Sequence, residues 1–235
     1  MNTVVNPPPL RAVLFDLDGT LLDTAPEFAF VIDLMLRRHG RAPVPFERLR
    51  QSVSDGARGM VATAFGLAPE QPEFEPLRQE LLALYGEHMG QRTALFEGMA
   101  TLLATLEAQG LHWGIVTNKP VLYAAPLLAA LALDRRCATL ICPDHVQNRK
   151  PHPEPLQLAC RQLGCTPEQA VYLGDHRRDI ESGRNAGMTT IACAFGYVHL
   201  EDPCSDWGAD AVADQPSAIL PLLQPRLAAA PAHSR

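Results

Sequence analysis

Asp16 and Asp18 stand two residues apart in Asp16-Leu17-Asp18-Gly19-Thr20, directly after the short apolar run Arg11-Ala12-Val13-Leu14-Phe15. Side chains two apart on extended backbone face the same way, so both carboxylates project over the end of a strand. Such a pair can hold a hard cation, attack an electrophile or exchange protons with a leaving group. Taken alone it also reads as an Asx-turn closing the strand. Gly19 follows where a tight turn or a close backbone approach is needed.

Three later segments repeat the arrangement of a strand end carrying a polar group. The run His112–Thr117 ends in Thr117-Asn118-Lys119-Pro120. A hydroxyl and free N–H groups at a helix start bind anions, and Pro120 suits the first helical turn; a simple N-cap is the alternative. Lys150 lies in the proline-stiffened loop Asn148-Arg149-Lys150-Pro151-His152-Pro153, where a lysine is ordinarily a solvated charge. Val171-Tyr172-Leu173 runs into Gly174-Asp175, with Asp179 four residues on. Asp179 also suits a helix start for its charge alone.

The elements that position these groups follow from hydrophobic periodicity. Phe28, Val31, Ile32, Met35 and Leu36 recur at spacings of three and four, as do Leu77, Leu81, Leu84, Tyr85 and Met89. Prolines 43, 45, 69, 72 and 76 punctuate this helical stretch, and no strand is expected within it. Beyond Phe96, helices at Met99–Gln109, Val121–Leu133, Pro153–Leu163 and Arg178–Ala186 alternate with strands at His112–Thr117, Ala138–Cys142, Ala170–Gly174 and Thr189–Cys193. A last strand, Ala211–Ala213, precedes Ala218–Leu223. Alternation of this kind implies an α/β fold, a Rossmann-like parallel sheet covered on both faces. Residues 10–23 and 96–223 form that core, and 24–95 are a helical cap inserted after the first strand. Residues 1–9 and 226–235 are expected to be loose ends. Ligands of such sheets bind at the carboxyl ends of the strands, where the polar groups above converge.

The chain has 235 residues, 47% of them hydrophobic and 20% charged, which is ordinary globular composition. A formal net charge of −6 argues against nucleic acid as a partner. The longest uncharged apolar run, Val121–Leu133, is far short of the roughly 20 residues of a membrane span, and Met1–Leu10 has no basic start of a secretion signal. Cysteines 137, 142, 160, 165, 193 and 204 form no C-x-x-C pair and read as reduced thiols. A cytoplasmic protein, monomeric or homodimeric, acting on a small anionic substrate is expected.

In order, the two carboxylates, the hydroxyl, the lysine and the final carboxylate pair resemble the four motifs of the haloacid dehalogenase superfamily. The matches are Asp16–Thr20, Thr117, Lys150 and Gly174-Asp175…Asp179, and the resemblance spans residues 10–223. It implies a Mg²⁺-dependent phosphatase that passes through an aspartyl-phosphate. Asp16 is then the nucleophile, and Asp18 the acid and base for the leaving group and the water. Asp16, Asp18 (through its backbone carbonyl) and Asp175 hold the metal, with Asp179 behind its waters. Gly19, Thr117, Asn118 and Lys150 bind the phosphoryl group. Dehalogenases of the superfamily lack an Asp at the position of Asp18, so Asp18 favours phosphoryl transfer.

The cap sets substrate choice in this family. Its candidate is Arg58 in the turn Ser54-Asp55-Gly56-Ala57-Arg58, which either clamps a carboxylate or sugar oxygen or stays an uncommitted exposed side chain. His145 and His176 lie near strand ends, facing the substrate or its rim. Thr117–Pro120, Lys150–Leu156 and Gly174–Ile180 look like bacterial phosphoglycolate phosphatases, the reading favoured here. Cys142–Val146 and Trp207–Asp210 look closer to the related phosphatases of N-acetylmuramic acid 6-phosphate. A sugar phosphomutase shares the same core. A receiver domain would lack the cap and carry its phosphorylated Asp after the third strand.

Overall fold

The computed structural model describes residues 8–227. In chain order it contains β1 (Ala12–Phe15), β2 (Leu22–Asp23), α1 (Ala25–Arg38), α2 (Phe46–Ser52), α3 (Gly56–Phe65) and α4 (Phe74–His88). There follow β3 (Ala94–Leu95), α5 (Met99–Ala108), β4 (His112–Val116), α6 (Val121–Ala130), β5 (Leu140–Ile141) and α7 (Glu154–Leu163). The chain continues through β6 (Ala170–Gly174), α8 (Arg177–Ala186), β7 (Thr189–Cys193), β8 (Ala211–Ala213) and α9 (Ile219–Leu227).

Six strands make one parallel sheet in the order β5-β4-β1-β6-β7-β8. All of β1 is buried, which is why it reads as an unbroken apolar run rather than an alternating one. Val13 and Phe15 face one apolar cluster with α5 and α6, while Ala12 and Leu14 face another with α7. The strand order reverses at β1, and a crevice opens at the carboxyl ends there. Register then does the positioning. Phe15 is level with Ile115 of β4 and with Leu173 of β6, so Asp16, Thr117 and Asp175 emerge side by side.

Helices α1 to α4 bury their periodic apolar faces against one another. Phe28 stacks on Tyr85 with ring centroids 4.3 Å apart. Three expectations need correction. A strand does occur within 24–95: β3 pairs antiparallel with β2 at the neck, Leu22 opposite Leu95 and Asp23 opposite Ala94. A pair of two-residue strands is too short to show a period. Helix α6 ends at Ala130, and Ala132 turns left-handed with φ 54°. Finally, Arg226 is not loose: α9 runs on through Leu227 and carries its buried guanidinium to carbonyls at the amino end of the sheet. Arg226 Nη1 donates to Ala170 O (3.2 Å) and Thr189 Oγ1 (3.1 Å), and Nη2 to Glu168 O. Of the other expected loose residues, 1–7 and 228–235 lie outside the described residues, whereas Pro8 and Pro9 are half-buried and Pro8 O accepts Arg226 Nη2 (3.4 Å). No helix among the described residues is long and apolar enough to cross a membrane.

Tyr197, fully buried in the loop after β7, ties α1 to the sheet. Thr24 precedes α1 but makes no side-chain cap. The Tyr197 hydroxyl accepts the N–H groups of Thr24 (2.7 Å) and Ala25 (2.9 Å) instead, and donates to Asp23 Oδ1 (2.7 Å). Removing it orphans two buried donors. Tyr197→Phe should therefore cost about 1–3 kcal/mol, read as a lower urea midpoint at constant slope. A loss below about 0.3 kcal/mol would contradict the capping role.

Candidate active site

Asp16 is fixed first by backbone: its N–H donates to Leu173 O at 2.8 Å, one step past the end of β1. Its Oδ1 accepts the Leu17 N–H (2.7 Å) and faces Lys150 Nζ at 3.0 Å. Lys150 is 2% exposed, the opposite of the solvated charge a loop lysine suggests. Its ammonium also reaches Asp179 Oδ1 at 2.7 Å, and donates to Val116 O (3.0 Å) and the Tyr172 hydroxyl (2.8 Å). The ends of β1 and β4, a tyrosine from the middle of β6 and the start of α8 thus meet on one nitrogen.

Asp175 closes the group. Its Oδ1 accepts the Thr20 hydroxyl (2.9 Å) and its Oδ2 the Tyr197 N–H (2.8 Å). Asp16, Asp175 and Asp179 each present an oxygen within 4.8 Å of the others, all buried. Burial pushes the Asp175 carboxyl up to about 7, and the charges of Asp16 and Asp179 add to that. Burial, then Asp16, also raises Asp179 despite Lys150. Asp16 feels the same burial, but Lys150, with Arg178 and the Leu17 N–H, outweighs it and holds the carboxyl below its ordinary range. One lysine does not neutralise three carboxylates, and hard oxygens so crowded suit a divalent cation.

Gly19 belongs to this floor rather than to the cavity above. Its φ is +82°, and a Cβ there would lie 2.1 Å from Asp175 Oδ2, so the close approach is one only glycine permits. Asp18 is not part of that group of three carboxylates. Its Oδ1 and Oδ2 receive Lys119 Nζ at 3.1 and 3.3 Å, and Lys119 lies over the rings of Phe28 and Tyr85. Burial alone would pull the Lys119 ammonium down; the Asp18 charge and Tyr85 hold it above its ordinary range.

Asp16, Asp18, Thr117, Asn118 and Lys150 line one side of a cavity of about 460 Å³ between sheet and cap. Thr117 Oγ1 accepts the Lys119 N–H (3.1 Å), while Asn118 Nδ2 donates to Lys150 O (3.2 Å). Arg58 is there too, but in the first turn of α3 rather than in a turn between helices, exposed on the opposite wall. The two histidines serve local structure. His145 Nδ1 accepts the Cys142 N–H, and His176 Nδ1 caps α8 by accepting the Arg178 N–H. Burial, then Arg178 and His199, lowers His176 to about 4.

Lys119, Arg178 and Tyr172 received no role from sequence. Lys119 was detectable, since it directly follows the Thr117-Asn118 strand end. Arg178, whose Nη2 donates to Ser54 O of the cap, looks like any charge in the first turn of a helix. Tyr172 looks like core.

Sheet, inserted helices and acidic floor define a hydrolase class. A family model described as haloacid dehalogenase-like hydrolase matches residues 13–193, and the chain belongs to that family. It is a phosphoric monoester hydrolase, as its relatives are. An N-acetylmuramic acid 6-phosphate phosphatase of Pseudomonas aeruginosa is 51% identical over 214 residues, covering 91% of this chain and 95% of that protein. A phosphoglycolate phosphatase of Xanthomonas campestris is 43% identical over 206 residues, covering 88% and 93%. The crystal structure of a predicted phosphoglycolate phosphatase from Haemophilus somnus superposes with a TM-score of 0.80 at 26% identity, covering 92% and 98%.

Lys150→Ala strips two buried carboxylates of their counter-ion, which should cost about 3–5 kcal/mol at neutral pH. The sign with pH follows from linkage. Carboxyls raised in the folded variant keep their protons there, so folding is penalised only as pH climbs above the unfolded carboxylate range. In the wild type, the stability from the depressed Asp16 is gained below that range and is essentially complete once pH passes the unfolded value, so it does not offset the variant's growing penalty. The gap between the two proteins, measured by denaturant titration in chelator, should therefore widen from pH 4 to pH 7. A gap constant with pH would show that Lys150 packs rather than neutralises.

Proposed function

We propose that the chain hydrolyses N-acetylmuramic acid 6-phosphate through a phosphorylated Asp16, in the cytoplasm, with Mg²⁺ on the acidic floor. The carrying observation is the cavity. About 460 Å³ is lined by six cations (Arg58, Arg78, Lys119, Arg149, Lys150, Arg178) against three carboxylates (Asp16, Asp18, Asp55). It falls in the size range of small-molecule sites. Phosphoglycolate, with fewer than half as many non-hydrogen atoms as the muramic sugar phosphate, would leave most of it to water. The relative named for the sugar phosphate is also the more identical of the two. Six free thiols suit a reducing compartment.

Asp16, Asp175 and Asp179 would supply the hard oxygens Mg²⁺ prefers, and the Asp18 carbonyl would join them as the resemblance implies. When bound, the ion offsets repulsion between a phosphate dianion and an anionic nucleophile. Asp16 is the nucleophile because its carboxylate is kept ionised and held in place by Lys150 and Leu17 N–H. Lys150, Thr117 and the Asn118 backbone bear on the phosphoryl oxygens, where charge develops. Asp18 protonates the leaving alkoxide and later takes a proton from the attacking water. Lys119 carries the countercharge while Asp18 is ionised.

Initial rates on the two purified substrates in Mg²⁺ test the reading. The account expects kcat/KM to favour the muramic sugar phosphate by about tenfold or more; equal rates, or preference for phosphoglycolate, overturn it. Asp16→Asn should abolish turnover, and Asp18→Asn should lower kcat by about 10²–10⁴. Unchanged turnover in Asp18→Asn would remove its acid–base role.

A further inference from the structure

In the muramic sugar phosphate the phosphate sits on carbon 6 of the ring and the lactyl carboxylate on carbon 3, so the two anions lie at opposite ends of the molecule. With the phosphate against Asp16, the carboxylate meets the cap wall across the cavity. That wall carries Arg58 of α3 and Arg78 of α4. Of the other lining cations, Lys150 is engaged with Asp16 and Asp179, Lys119 with Asp18 and Arg178 with Ser54 O, while Arg149 is exposed in the loop beside Lys150, not on the cap wall.

Arg78 differs from these in what it holds. Its Nε and Nη2 donate to Glu75 Oε2 (2.8 Å) and Oε1 (2.7 Å), a two-point clamp already shaped around a carboxylate. Arg78 lines the cavity and its side chain is 27% exposed, whereas Glu75 lies one turn earlier at the rim and is 57% exposed. The Arg78 hydrogen bond, then that of Gln79, holds the Glu75 carboxyl down to about 2, and the Arg58 charge reaches it as well. A solvent-exposed pair one turn apart contributes little to stability, so exchange of one carboxylate for another on the guanidinium is cheap. The planar fork also rewards a carboxylate over a hydroxyl.

We propose that Arg78 is the specificity-determining residue for the far end of the substrate, and that the substrate's carboxylate displaces Glu75 from its guanidinium, with Arg58 adding charge alongside. This rests on the muramic sugar phosphate being the substrate. The partner carboxylate Glu75 is then a built-in competitor.

The test compares kcat/KM for N-acetylmuramic acid 6-phosphate with that for N-acetylglucosamine 6-phosphate, which lacks the lactyl group, in wild type, Arg78→Gln and Glu75→Gln. Arg78→Gln should lower the ratio about tenfold or more, as expected for loss of a charge-assisted two-point contact, with the change falling on KM. Glu75→Gln should raise it by about twofold or more through a lower KM, the opposite direction, which a merely structural pair would not produce. A wild-type ratio near one sinks the substrate reading, and the subsite with it. A clear wild-type preference that survives Arg78→Gln, or Glu75→Gln moving the ratio the same way as Arg78→Gln, overturns the subsite alone. Should Arg78→Gln fail to fold, the sign of the Glu75→Gln effect decides.

Discussion

Three carboxylates brought within a few ångströms of each other in a buried site repel one another, and water is not there to screen them. At the floor of this fold, Lys150 is, among the described residues, the one cation in contact with two of them, at 3.0 Å from Asp16 and 2.7 Å from Asp179. Its ammonium is itself buried, so it is acceptable only because four oxygens surround it. The arrangement still has an excess of negative charge: burial pushes the Asp175 carboxyl up to about 7, and the charges of Asp16 and Asp179 add to that. That excess of buried hard oxygens suits a divalent cation.

The remaining structure is arranged around this constraint. Parallel pairing of β4, β1 and β6 in register delivers Thr117, Asp16 and Asp175 to the same edge. Gly19 lets the turn after β1 press against Asp175. The cap covers the edge, and its apolar cluster takes in Tyr197 of the core, with Phe96 and Tyr123 packed against it. Polar contacts also fasten it: Arg50 Nη2 donates to Phe195 O (2.8 Å), Arg178 Nη2 to Ser54 O, and His199 pairs with Asp55 (3.4 Å). Contacts of this type open at low cost, which suits a site that must exclude water for one step and admit it for the next.

Much of this was legible in the sequence because it is local. Strands Ala170–Gly174, Thr189–Cys193 and Ala211–Ala213 coincide with their expected spans, since unbroken apolar runs between helices have few alternatives. The order of the polar strand ends identified the family before any geometry was known. What the local sequence does not reveal depends on distant partners. Lys150 is singled out by the resemblance alone, because nothing in its own loop reveals Asp16 or Asp179. Lys119 gains its place from Phe28 and Tyr85 of the inserted helices, and Arg226 from carbonyls of β6 and its flank. The β2–β3 neck has no periodicity to detect. Substrate choice is hardest to read, because Arg58 and Arg78 sit on helix surfaces whose charged residues are ordinarily uncommitted.

In the proposed mechanism Asp16 accepts the phosphoryl group. Single-turnover reaction of Asp18→Asn, in which hydrolysis of the intermediate is slowed, can be quenched in acid and mapped by peptide mass spectrometry. The account predicts a phosphoryl group on the peptide carrying Asp16 and on that residue alone, forming no later than the released alcohol. Alcohol release without any covalent label, or a label on another side chain, would contradict it.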